Sequence, residues 1–158
     1  HILKKELPPD QFGALVRRFA DLVLEKVLHA PFVPGAREFL EEFYQRLPLF
    51  VVSATPEEEI RFIVRERGLS RFFRQVYGAP RTKVESMREI LAGQRVGPGT
   101  ALYVGDAPND LHAAEAVGVR FIGRIGEGSP DPFAGEPSVE KVVKDLQELG
   151  RYLEEQGC

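Results

Sequence analysis

A parallel α/β sheet with helices on both faces is the fold this chain predicts, and three observations predict it. From residue 49 onward, short apolar runs alternate with segments of helical period. Proline, glycine and Ser/Thr capping pairs punctuate most changes of pattern. Ser53, Lys83, Asp106 and Asp110 all follow apolar runs. In open α/β sheets that is the end of the strand where ligands bind.

Residues 1 to about 30 read as amphipathic helix, with Phe12, Leu15, Val16, Phe19, Leu22 and Val23 at helical spacing. Pro31 and Pro34-Gly35 then mark a hinge or boundary. A second helix carries Phe39, Leu40 and Phe43 on one face. Pro48 precedes the apolar run Leu49 to Val52, read as a buried strand ended by Ser53. A helix over Pro56 to Arg67 follows, then a short strand at Gln75 to Tyr77 and a helix over Lys83 to Ala92. The strand Ala101 to Val104 leads into a helix from Pro108 to Val117, stopped by Gly118 as C-terminal cap. Val119 to Ile122 is the next strand. After the Gly/Pro-rich stretch 126–137, Val139 to Val143 makes a last strand and Asp145 starts the final helix. Phe62, Ile63, Phe72 and Phe73 read as core.

Composition narrows the function. At 158 residues the chain is long enough for a real core, and 43% hydrophobic with 28% charged residues is ordinary for a globular protein. A net charge of −3 gives no electrostatic footprint for nucleic acid. No apolar stretch approaches the length of a membrane span, and no signal peptide is visible. The single cysteine, Cys158, cannot form an internal disulfide, so a reducing, cytoplasmic setting is expected.

Three strand ends carry candidate chemistry. Thr55-Pro56-Glu57-Glu58 reads as a capping box for its own helix, which frees the Ser53 hydroxyl for another partner. Thr82 and Glu85 form a second capping box and put Lys83 in the first turn of its helix. A cation there opposes the helix dipole, a conflict that a bound anion would relieve. Asp106 and Asp110 place two carboxylates at one strand end, a costly juxtaposition that a divalent cation would offset. Asp110 would equally suit the positive end of a helix dipole, and Asp106 a turn. One hydroxyl, one ammonium and two carboxylates after successive strands suit phosphoryl chemistry with a divalent metal. His112 reads as a surface or packing residue, and Arg61, Arg74 and Arg81 as solvated charge near the pocket face.

On these residues the chain resembles the haloacid dehalogenase superfamily of phosphohydrolases, and within it phosphoglycolate phosphatase-like members with a helical cap. Val51-Val52-Ser53 resembles the second family motif, and the stretch from Gly78 to Lys83 resembles the third. Gly105-Asp106-x-x-x-Asp110, continuing into Leu111-His112-Ala113-Ala114, resembles the fourth. The resemblance implies a Rossmannoid core over 33–158 and a partial helical cap over 1–32, with Pro34-Gly35 at their junction. It implies that Ser53 and Lys83 bind the transferring phosphoryl group, that Asp106 binds Mg²⁺ and that Asp110 supports the metal site. The substrate implied is a small phosphorylated metabolite.

The first family motif, an Asp-x-Asp pair on the central strand, occurs nowhere in the sequence. Its first Asp is the family's nucleophile. Asp10 and Asp21 do not follow an apolar strand and do not replace it. The expectation is a fragment of a longer phosphatase, inactive by itself, whose sheet lacks its central strand. Removing that strand exposes two inner edges. Either another segment fills the gap, such as one from a second copy of the chain, or the sheet rearranges. A non-catalytic phosphate- or metal-binding module, or a binding protein that keeps only the fold, is the alternative. A haloacid dehalogenase proper, which works without Mg²⁺, fits less well with paired aspartates in the fourth motif.

Overall fold

The computed structural model describes Leu15, Arg18 and residues 22–158. Phe12, Val16, Phe19, Asp10 and Asp21 lie outside the described residues. A helical segment, α1 (22–29), is followed by α2 (Ala36–Phe43), β1 (Phe50–Pro56), α3 (Glu57–Glu66) and β2 (Gln75–Ala79). The remainder is α4 (Lys83–Gln94), β3 (Leu102–Gly105), α5 (Pro108–Val117), β4 (Arg120–Arg124), β5 (Val139–Val143) and α6 (Leu146–Glu155). Among the described residues, no helix is long and apolar enough to cross a membrane.

Every strand pairing is parallel, and the strands fall into two sheets. β1 pairs with β2, while β4 lies between β3 and β5. β1 and β3 form no ladder with each other, so among the described residues each has one hydrogen-bonded neighbour. Their facing edges line a cavity of about 480 Å³, with Val52 on one side and Val104 on the other.

Strand alternation sorts the core onto two faces. Ile122 of β4 packs with Val143 of β5 and with Phe43, Leu149 and Leu153, the layer made by α2 and α6. Phe121, one residue earlier, points the other way and packs with Leu111, Ala114 and Phe133. A third cluster, Met87, Ala113 and Val119, joins α4 to α5. Ile122 and Val143 are fully buried and Phe121 nearly so, as expected for strands covered on both faces. Phe39 and Phe43 of α2, whose rings stack on each other 4.6 Å apart, pack in one cluster with Leu149 and Leu153 of α6, and Leu146 N–H donates to the Pro34 carbonyl just before α2 at 3.1 Å.

The amphipathic reading of the N-terminal helix is met only in part. Leu22, Val23 and Val27 are exposed. What ties α1 down is polar: the Arg67 guanidinium donates to the Val27 and Ala30 carbonyls at 2.5 and 2.7 Å. A cation on the last carbonyls of a helix is also favoured by its dipole.

The split sheet makes a direct prediction for hydrogen exchange. β4 amides, with ladders on both sides, exchange slowest. On β3, those amides aimed toward β1 exchange at the rate of open backbone. Equal protection on both edges of β3 would mean that a strand from another segment or another copy occupies the gap.

Candidate active site

β1 stays in register with β2 from Phe50 to Val52, and the register breaks between Val52 and Pro56. Ser53 sits at that break. Its Oγ accepts a hydrogen bond from the Thr55 N–H at 3.1 Å. The capping box expected from Thr55 does not form: α3 begins after Pro56, without a side-chain cap. The reason is that the chain remains extended through Pro56 (φ −48, ψ 137), which leaves Thr55 outside the capping position. Ser53 is therefore not idle, as its lone pair organises the loop. Its O–H is still able to donate into the cavity it lines.

The second capping box forms as the sequence predicts. Glu85 N–H donates to Thr82 Oγ1 at 3.2 Å, and Thr82 N–H donates to Glu85 Oε2 at 2.8 Å. This fixes Lys83 as the first residue of α4 and aims it across to α5. Its Nζ donates to Asp110 Oδ1 at 2.5 Å. The cation that opposes its own helix dipole thus finds a counter-charge inside the protein.

Asp110 is the hub of the site. It lies in the first turn of α5, 5% exposed. Besides Lys83, Oδ1 accepts from the Tyr103 hydroxyl at 2.7 Å, and Oδ2 accepts from the Ala107 N–H at 3.2 Å. Burial pushes its carboxyl upward, but the hydrogen bonds from Lys83 and Tyr103 outweigh it and the net displacement is downward. Burial raises the Tyr103 phenol in turn, and its bond to the Asp110 carboxylate raises it further. Gly105 makes the packing possible: a Cβ there would lie 2.4 Å from Asp110 Cβ and 2.6 Å from its Cγ.

Ser53, Lys83, Asp106 and Asp110, which the sequence singles out, all line the 480 Å³ cavity at the C-terminal ends of β1 and β3. Asp106 is exposed and has no hydrogen-bond or ion-pair partner among the described residues. Of the two carboxylates it is the one with oxygens free for a cation, while Asp110 is engaged in holding Lys83 and the turn at Ala107. Among the described residues, no group of three or more His, Cys, Asp or Glu side chains stands ready to hold a metal.

Two lining residues escape the sequence reading, Tyr103 and Arg124. Both have a signal in the strand pattern. Tyr103 faces opposite to its apolar neighbours Leu102 and Val104, and Gly105 pairs with Gly123, which sets Arg124 beside Asp106. None of Arg61, Arg74 and Arg81 lines the cavity. Arg61 pairs with Glu57 at 2.8 Å and Arg81 with Glu89 at 2.6 Å. His112 is exposed.

The family model described as Haloacid dehalogenase-like hydrolase matches residues 2–124. A phosphoglycolate phosphatase from Pseudomonas savastanoi pv. phaseolicola is 29% identical over 123 residues, covering 73% of this chain and 45% of that protein. The Klebsiella pneumoniae enolase-phosphatase E1 is 37% identical over 70 residues, 44% of this chain and 30% of that protein. Among solved structures, a predicted phosphoglycolate phosphatase from Haemophilus somnus superposes with a TM-score of 0.80 at 22% identity. That match covers 95% of this chain and 70% of the other. The chain spans about half the length of the phosphoglycolate phosphatases it matches.

Three outcomes follow for the Lys83–Asp110–Tyr103 cluster. Lys83→Met strands a buried carboxylate and lowers stability by about 2–3 kcal/mol in urea unfolding. Gly105→Ala forces Asp110 away from β3 and costs about 1–3 kcal/mol. Because Asp110 is held below its ordinary value of 3.8, its contribution to stability is complete above about pH 4 and is lost as pH falls through the lowered value. Asp110→Asn flattens that acid limb; identical acid limbs in wild type and variant would contradict the assignment.

Proposed function

Because the chain belongs to the haloacid dehalogenase-like hydrolase family, we propose that it is the phosphoryl- and metal-binding part of a Mg²⁺-dependent phosphomonoester hydrolase. One observation carries the reading. A lysine held by a buried carboxylate faces, across one cavity, a serine at the register break of β1 and an aspartate without a partner among the described residues.

The chemistry follows from the groups present. The Lys83 ammonium has three N–H donors and commits one to Asp110, which leaves two for phosphoryl oxygens. The Ser53 hydroxyl donates to a further oxygen. Tyr103 and Ala107 keep Asp110 ionised and oriented, so that Lys83 is fixed as a charge and not swept through solvent. Asp106 suits a hard cation that takes one or two carboxylates and completes its shell with water and phosphate oxygens. When bound, Mg²⁺ supplies positive charge against the phosphoryl oxygens. Phosphoryl transfer needs mainly such positioning and neutralisation.

The attacking group is a separate matter. No Asp-x-Asp pair occurs in the sequence, so the aspartate that would form an aspartyl-phosphate is assigned to a segment outside these 158 residues. The chain alone is then inactive, and the substrate of the intact protein is a small phosphorylated metabolite chosen by its cap and loops. A non-catalytic module that binds phosphate without turnover is the second reading, favoured by the same missing motif.

The test is hydrolysis of a generic aryl phosphate with Mg²⁺, by this chain and by a polypeptide that includes the residues preceding it. The longer protein turns over, and Asp106→Asn reduces its rate by about a hundredfold or more. The 158-residue chain does not turn over. A longer protein that binds phosphate but never releases it from an ester would establish the second reading instead.

A further inference from the structure

Among the described residues Arg124 is the one arginine lining the cavity, and the site as described does not use it. It ends β4 and also borders a second, smaller cavity of about 200 Å³ beneath the loop after that strand, walled by Asp106, Gly126, Ser129 and Pro130 among others. Among the described residues, the walls of the second cavity come from the ends of β3 and β4 and that loop, apart from the gap between β1 and β3. Asp106 and Arg124 are the two residues that border both spaces.

Several arginines, Arg37, Arg67 and Arg95 among them, have no carboxylate partner among the described residues, but of these Arg124 is the one that lines the cavity. Arg46, Arg61, Arg65, Arg71, Arg81 and Arg120 are each paired with a carboxylate. Arg124 pairs with none among the described residues, although Asp106 borders the same spaces. Its Nε donates to the Lys144 carbonyl at 3.2 Å. This anchors the plane of the group and leaves Nη1 and Nη2 free. Gly126 lies beside them: a Cβ there would stand in ordinary contact with those two nitrogens, at 3.8 and 3.7 Å. An anchored, half-buried guanidinium with both terminal nitrogens free matches the fork geometry that carboxylate and phosphate groups accept. The charge of Lys83 is already met by Asp110, whereas that of Arg124 is not met.

We infer that Arg124 forms a second anion subsite, which reads a carboxylate or second phosphate on the alcohol part of a phosphomonoester. The inference rests on the phosphatase reading above. The ester's reacting phosphoryl group lies on the Ser53, Lys83 and Asp106 side, and the rest of the molecule passes Asp106 into the smaller cavity. Arg124 is then a specificity residue and takes no part in the phosphoryl step.

Calorimetric titration of the 158-residue chain with Mg²⁺ tests this without requiring turnover. The probes are orthophosphate, ethyl phosphate, phosphoglycolate (which adds a carboxylate) and ethylene glycol bisphosphate (which adds a phosphate). At least one doubly anionic probe binds about tenfold tighter than ethyl phosphate, the worth of a charge-assisted hydrogen bond; which of the two gains identifies the second group. Arg124→Gln erases that advantage and leaves orthophosphate and ethyl phosphate unchanged, while Arg124→Lys keeps part of it. Melting curves establish that both variants fold. A preference that survives Arg124→Gln overturns the inference, as does an equal loss of orthophosphate affinity, which would move Arg124 into the phosphoryl site. Failure of every probe to bind the wild-type chain would overturn the phosphatase reading itself.

Discussion

The contact between Lys83 and Asp110 is the constraint on which the rest of this end of the molecule depends. It joins the first turns of α4 and α5 and fixes both helices to the end of β3. A buried ion pair gains little over an apolar pair of the same shape, so its presence here is better explained by position than by stability. The pair holds an ammonium at one point on the wall of the cavity. Tyr103 and the Ala107 N–H take up the remaining lone pairs of Asp110, and a fully satisfied network of this kind keeps its members in a single arrangement. Gly105 admits the carboxylate against the strand where any side chain would exclude it.

The topology explains why so few residues suffice. Among the described residues every strand pair is parallel and the ends of β1, β3 and β4 line one cavity, so each of these ends delivers one group to one place. β1 brings Ser53, the β2–α4 connection brings Lys83, β3 brings Asp106, and β4 brings Arg124. The charges are arranged unequally. The lysine is neutralised from within, whereas the Asp106 carboxylate and the Arg124 guanidinium border the same spaces and have no ion-pair partner among the described residues. One of these groups suits a cation and the other an anion, so both signs of charge can be met within one pocket.

Much of this was legible in the sequence, for reasons that can be named. The strand Leu102 to Gly105 and the helix behind it announce themselves by an apolar run, a proline at the first helical position and Gly118 in the left-handed region at the far end (φ 80). Thr82 and Glu85 place Lys83 to the residue because a capping box fixes a helix start. The same logic failed at Thr55, since capping signals do not register how far a strand persists: β1 runs on to Pro56. Strand ends were displaced by one to four residues, as at β1 and β4, where the strand persists through polar residues such as Ser53 and Arg124 beyond the point at which hydrophobicity alone ends it. Arg124 was missed because its relevance depends on which strand lies beside β3, and register between strands is a long-range property. The exposure of Leu22, Val23 and Val27 was equally invisible, because helical period says which residues share a face but not what that face meets.

Chemical-shift mapping of the isotopically labelled chain with orthophosphate and Mg²⁺ addresses the central claim most directly. The expected result is a single saturable set of shifts confined to the Ser53–Thr55 amides, the Lys83 turn and the Asp106–Ala107 turn, lost in Lys83→Met. Shifts absent from these three segments, or unchanged by that substitution, would contradict a phosphoryl site at the ends of β1 and β3.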